Sequence, residues 1–454
     1  MRFARVVISS ARVSWHLIAA TLLTPCVTTT AAAQSTARTP VIELRDAQWF
    51  DGRAFVRGSR WMQQQQFVTR PAGGADSVID LRGAWMVPPY ADAHTHGPDG
   101  PWGFDGIRDM FLRLGVYYVQ VLGNTRSGRI ATRAQVNIPT SVDAVFADAP
   151  VTATGGHPQV LYESLGLFRR FSQTDAERYA AARSLARDGD VYVRLDSLLQ
   201  LAPIVERMSR DTVAVLKVML LESESWGTRH RDSTQVGSFG MNPALLPPLV
   251  AAAHARGRRV WAHVETPYDL EIALRAGVDG FAHVPSYGVA TGTDSAARSR
   301  LIPDSTVRLA GSRRVPMTAT LGIGLRGSAT DSASLRRFTS ITVRNAAALR
   351  RAGVILLAGS DTYSNADVVR GDPAATAQLL NLTPLEYLRM WSVDTPLAIF
   401  PGRRIAQFRP SYDASALALE CNPLRDTACL SRISRRLKQG VWLSSTAEPA
   451  EAQR

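Results

Sequence analysis

Six residues of this chain have side chains suited to holding metal ions and recur at one kind of place: His94, His96, Lys217, His263, His283 and Asp361. His94 and His96 end the apolar burst "YADAHTH", Lys217 lies in "VAVLKVML", His263 in "RRVWAHVE" and His283 in "GFAHVP", and Asp361 ends "VILLAGSD". Residues i and i+2 of a strand point to the same side, so His94 and His96 can reach one ion together. A lone histidine at a strand end is more often structural, but four of them with a terminal aspartate reverse that weighting.

Lys217 stands out by type. Lysine and arginine total 52, and only Lys217 and Lys438 are lysines. Within an apolar strand, desolvation pulls an amine toward its neutral form, whereas a guanidinium stays charged. A neutral amine can take up carbon dioxide as a carbamate whose two oxygens bridge two cations. The other reading is a lysine that neutralises nearby carboxylates, and at the level of the residues both stand. With the carbamate, His94, His96, Asp361 and Lys217 surround one ion while Lys217, His263 and His283 surround the other. Imidazole and carboxylate ligands with open positions suit zinc first among divalent ions. A hydroxide held between two cations is a strong nucleophile at neutral pH, and one cation polarises a carbonyl. Asp361 would take the hydroxide's proton and deliver it to a leaving amine.

These residues need a scaffold that brings strand ends together. Over residues 89–395, eight apolar bursts alternate with helical stretches such as "TDAERYAAARSLARDG", "NPALLPPLVAAAHARG" and "TPYDLEIALRAG". The last two end in the glycine expected just past a helix C-terminus. Eight bursts alternating with helices predict a (β/α)8 TIM barrel, whose active site lies at the C-terminal ends of its strands. Residues 34–88 and 396–454 read instead as short strands and turns, including "VIELRDAQWFDG", "RIAQF", "ASALALE" and "GVWLSS". The simplest arrangement pairs the two flanks into one satellite β domain.

Residues 1–33 carry Arg2, Arg5 and Arg12, then "HLIAATLLTP" and "AAA" before Gln34, the pattern of a secretory signal. A periplasmic or secreted protein is the expectation. Lipoprotein anchoring at Cys26 is disfavoured because Pro25 stands where a small residue belongs. The signal's apolar core falls short of the roughly 20 residues a membrane span needs, and no later run reaches that length. Beyond the signal only Cys421 and Cys429 remain, as a short-loop disulfide or as two unpaired thiols. The net charge of +13 falls to +10 without the three signal arginines (13 − 3). Those charges are scattered and lack the basic blocks with interleaved aromatics that track a phosphate backbone, which argues against nucleic acid. The expected partner is a small-molecule substrate, with homo-oligomers allowed.

The motifs resemble those of the amidohydrolase superfamily, in particular its imidazolonepropionase-like and prolidase-like (Xaa-Pro or Xaa-Arg dipeptidase-like) members. The resemblance rests on "VIDLRGAWMVPPYADAHTH", "VTATGGHP", "LKVML", "VWAHVET", "AGVDGFAHVP", "LLAGSD" and the tail "CNPLRDTACLSRISRRLKQGVWL". It implies the six metal ligands above, a carboxylated lysine at Lys217, and terminal segments that form a β-sandwich. It also implies that His157 contacts the carbonyl oxygen of the bond to be cut. Three features depart from the family pattern: Pro88-Pro89-Tyr90 replaces a Pro-Gly-Leu-like segment, "RIAQFRPSYDASALALE" lacks the usual Gly-rich tail, and Glu265 stands where dipeptidase-like relatives often carry Tyr or His. Glu265 is therefore a candidate substrate-binding residue.

The resulting expectation is an exported binuclear hydrolase that cuts a C–N amide or cyclic amide bond, with a dipeptide or N-acyl amino acid as substrate class. A lactone or ester hydrolase on the same site comes next. A mononuclear deaminase would want a glutamate three residues after the fifth-burst histidine, whereas Glu265 is two after His263. A non-catalytic binding barrel comes last, because all six ligand positions are competent. Arg229, His230 and Arg231 could meet a substrate carboxylate, although solvated charges are the plainer reading in so Arg-rich a chain.

Overall fold

The computed structural model describes residues 39–100, 103–211, 213–286, 297–329 and 331–444. The signal segment and Cys26 lie outside the described residues. Among these residues the fold is mixed α/β, with parallel sheets that carry the histidine bursts and a separate β-rich layer.

The parallel strands are β1 (Tyr90–Thr95), β2 (Val116–Val121), β3 (Asp143–Phe146), β4 (Val151–Thr152), β5 (Val193–Arg194), β6 (Val215–Met219), β7 (Arg259–His263), β8 (Gly280–Phe281), β9 (Pro316–Thr318) and β10 (Ile355–Leu357). One sheet runs β1-β2-β3 and the other β5-β4-β6-β7-β8-β9-β10. β1, β2 and β6 are buried along their whole length, the signature of strands covered on both faces. Backbone bonds from Ala93 N to Ala358 O, Asp361 N to His94 O and His96 N to Thr362 O tie β1 to the chain that follows β10. The first and last bursts therefore run side by side.

The intervening helices start and stop where side chains say they should. Thr266 and Asp269 cap Pro267–Ala276 reciprocally, and Gly277 ends it at φ 88°. Two expected elements differ. "AVFADAPVTATG" is two strands, because Asp148 is left-handed (φ 57°) and Pro150 has no N–H to donate to a ladder. The helix of "TDAERYAAARSLARDG" covers only Asp175–Arg183, since Ser184 turns extended and gives its hydroxyl to Glu163 Oε2 at 2.5 Å.

Both flanks supply the β-rich layer. Val41–Phe50, Phe55–Gln63, Gln66–Val68, Ser77–Asp80 and Trp85–Val87 come from the front, and Ala416–Leu419, Ile433–Lys438 and Val441–Leu443 from the end. Leu417, Ala418 and Leu419 pair antiparallel with Val87, Met86 and Trp85, and hydrogen bonds join all eight strands in one sheet. "RIAQF" is not a strand. Its Ala406 is left-handed (φ 62°), and Ile405 and Phe408 enter the core from irregular chain. A disulfide joins Cys421 and Cys429, a bond that fits an oxidising compartment. No helix among the described residues is long and apolar enough to cross a membrane.

Candidate metal centre

The strand ends converge on a cavity of about 200 Å³ lined by His94, His96, His157, Lys217, His263, His283 and Asp361. Asp361 Oδ1 lies 3.0 Å from His96 Nε2 and 3.3 Å from His94 Nε2, and its Oδ2 lies 3.7 Å from His283 Nε2. Asp361 adopts a left-handed backbone (φ 47°), a strained state for a residue with a Cβ, which aims its carboxylate back across the strand ends. Gly359 permits this approach. A Cβ there would strike Thr318 Cγ2 and come within 3.0 Å of His94 N.

The imidazoles are oriented from behind. His94 Nδ1 donates to Ala282 O at 3.0 Å, which leaves its Nε2 lone pair facing the cavity. His283 Nδ1 pairs with Thr320 Oγ1 at 3.0 Å, so its Nε2 also points inward. Burial holds both rings well below the usual imidazole range, in the neutral form a metal requires. Burial of Lys217 brings its amine down to about 7. His157 sits between β4 and the helix Gln159–Phe168, its ring 6.1 Å from that of His263, and burial lowers it to about 4. A neutral His157 can donate one hydrogen bond to a substrate oxygen.

Does this set of donors fit metal ions? His94, His96 and Asp361 each offer a ligand atom within 4.8 Å of the others. Ligands on one tetrahedral zinc at bonds of about 2.0–2.1 Å stand roughly 3.3 Å apart, close to the separations around Asp361 Oδ1. His283 and His263 continue the cluster with ring centres 4.8 Å apart, and Lys217 lines the same cavity. Glu265 does not line it; its Oε1 bonds His263 Nε2 at 3.0 Å, and although burial raises its carboxyl, that bond together with the fields of His263, His157 and Arg300 holds it below its usual value. Arg229 is ion-paired with Glu222, and His230 stacks on Trp226 with ring centres 3.8 Å apart, so neither reaches the cavity wall.

Sequence reasoning missed the rest of that wall. Leu161 and Tyr162 line it from a helix, Met219 from the end of β6, and Leu122 and Tyr363 from loops. Only Tyr363, two residues beyond Asp361, and Met219, two beyond Lys217, had a readable signal in their spacing.

No family model matches the chain. An uncharacterized protein of Mycobacterium tuberculosis is 25% identical over 341 residues, which cover 72% of this chain and 77% of that protein. Ochratoxinase of Aspergillus niger is 26% identical over 239 residues, 51% of this chain and 46% of the enzyme. Among solved structures, an amidohydrolase aligns with a TM-score of 0.68 at 18% identity, covering 90% of this chain and 100% of its own. A. niger ochratoxinase aligns at 0.67 with 18% identity, covering 89% and 95%. A Xaa-Pro dipeptidase with bound methionine aligns at 0.66 with 12% identity, covering 89% and 99%. This chain shares its fold with these three solved proteins, one of them an amidohydrolase, in keeping with the resemblance of the motifs.

Proposed function

We propose that this chain is a metal-dependent hydrolase of C–N amide bonds, built as a (β/α)8 barrel at residues 89–395 with a satellite β domain from 34–88 and 396–454. The observation that carries the reading is the convergence of four imidazoles, Asp361 and buried Lys217 on one small cavity. The solved relatives that share the fold include amidohydrolases and a Xaa-Pro dipeptidase.

His94, His96 and Asp361 would hold one divalent ion and His263 and His283 the other, zinc being the first choice, with Lys217 shared as a carbamate. Two such ions supply an ionised water at neutral pH and polarise a carbonyl. Forming the carbamate joins the Lys217 nitrogen to carbon dioxide and releases one proton. Asp361 accepts the proton of the attacking water and passes it to the departing amine nitrogen. Neutral His157 donates to the carbonyl oxygen and strengthens that bond as negative charge builds there. Residues 1–33 would direct export.

Elemental analysis of protein prepared with zinc and bicarbonate tests this reading. About two ions per chain, together with amine release from a simple amide, is the expected result. A protein that takes up no metal under those conditions would sink it.

A further inference from the structure

The cavity contrasts a polar floor with an apolar wall, and the contrast bears on what can enter. Beside the histidines the lining includes Leu122, Leu161, Tyr162, Met219 and Tyr363. The Tyr363 ring lies 5.2 Å from that of His96. The Tyr162 hydroxyl shares a hydrogen bond with Tyr363 and lies 3.4 Å from Gly123 O, and both rings contribute to the wall. At about 200 Å³ the space is smaller than the roughly 300–1,000 Å³ of drug-sized sites, enough for one ring and its amide.

A substrate carboxylate buried here would need a cation. Among the described residues Lys217 is the only lysine or arginine on the wall, and it belongs to the metal-binding floor. Two arginines on the Glu265 side of the site are already engaged. Glu222, three residues beyond β6, takes Arg229 Nη1 on Oε2 and Arg300 Nη2 on Oε1, the latter at 2.5 Å. Arg229 Nη2 is further fixed to Ser238 O at 2.8 Å. Arg300 lies within electrostatic reach of Glu265, the partner of His263, which puts this cluster beside the site. Glu222 is itself left-handed (φ 48°), so its backbone is bent to turn the carboxylate toward both guanidinium groups.

We propose that the site takes a neutral amide bearing a single aromatic ring, and that Glu222 is a specificity-determining residue that excludes substrates with a free carboxylate by sequestering Arg229 and Arg300. The inference rests on the amide-hydrolase reading and narrows it, away from dipeptides and N-acyl amino acids. Glu222 acts through the two arginines and touches no reacting atom.

The test compares N-benzoylglycine with N-benzoylglycinamide, which differ only in carboxylate against carboxamide, on the zinc-loaded full chain. kcat/KM should favour the neutral compound by about tenfold or more, and calorimetric binding should show the same order. Glu222→Gln should shrink that preference by freeing two cations, with a thermal melt confirming that the variant is folded. Binding decides the inference even without turnover: a neutral preference with no hydrolysis breaks the hydrolase reading and leaves this one standing. N-benzoylglycine bound as tightly as its amide, no binding of either, or a ratio that Glu222→Gln leaves unmoved would each overturn it.

Discussion

The chain's two lysines are both buried, Lys217 3% and Lys438 1% exposed, and burial pulls both amines below their usual range. Their surroundings differ completely. Lys438 Nζ donates to Ile138 O at 2.9 Å and to Asp143 Oδ1 at 2.6 Å, and Asp143 also pairs with Arg403 at 2.6 Å. Lys217 makes no hydrogen bond or ion pair among the described residues, and its one attractive influence is the field of Asp361. A buried ammonium with a carboxylate and a carbonyl keeps its charge and locks two segments together; one with neither is better off neutral, the form that reacts with carbon dioxide. Rarity of lysine drew attention to position 217, but position 438 is equally rare and has a structural job. Partners, not frequency, tell the two apart.

The sharpest way to break this contrast is to replace Lys217 by residues of both charges. Lys217→Arg preserves a cation but cannot become an anion, and Lys217→Glu supplies a fixed carboxylate near where a carbamate would be. Metal content should vanish in Lys217→Arg and survive in part in Lys217→Glu. In both, amide hydrolysis should fall by more than the roughly 10–100-fold typical of residues that merely orient ligands. If Lys217 only offsets nearby carboxylates, the order reverses, with arginine tolerated and glutamate not. Elemental analysis of the two variants side by side reads the answer directly.

Lys438→Met should act on stability alone. It strips one partner from fully buried Asp143 while Arg403 stays, so a loss of about 3 kcal/mol is expected, toward the low end for a broken buried pair. Urea midpoints give that number. Metal content and kcat per folded molecule should match the parent, and a loss of metal would erase the division between the two lysines.

The same physics explains what could be read in advance. β1, β2 and β6 are mostly apolar because parallel strands are covered on both faces, so a polar residue inside or closing such a run stands out against its background. That is why His94, His96, Lys217, His263, His283 and Asp361 could be gathered before any fold was known, and why they meet at one cavity. Residues whose placement depends on distant chain carry no such mark. Tyr162 reaches the wall from a helix, Thr320 meets His283 through a left-handed backbone (φ 46°), and Glu222 matters only because residues 229 and 300 fold onto it. "RIAQF" has the composition of a strand, yet its apolar side chains reach the core without one. Helix ends behaved likewise, legible at Thr266 and Gly277 where the cap is local and lost at Ser184 where the deciding partner is Glu163.

Asp372 extends the rule to a carboxylate. It is fully buried in the helix Ala366–Leu379; Oδ1 accepts Gly322 N at 2.7 Å, while Oδ2 has no partner among the described residues. With no ion-pair partner among the described residues and, of cations, only the field of Arg326 to oppose burial, it behaves as Lys217 does and gives up its charge, its carboxyl pushed up to about 8 by burial. A folded-state value above the unfolded one means that the native chain holds a proton the unfolded chain releases. The associated stability is complete below the unfolded value and is lost as pH rises through about 8. Asp372→Asn keeps an acceptor for Gly322 and removes the titration. Its urea midpoint should therefore change less than the parent's between about pH 5 and about pH 9, leaving the variant ahead at the alkaline end. Parallel curves for the two proteins would mean that Asp372 is ionised in the native state, and that a buried charge in this fold can persist without a partner.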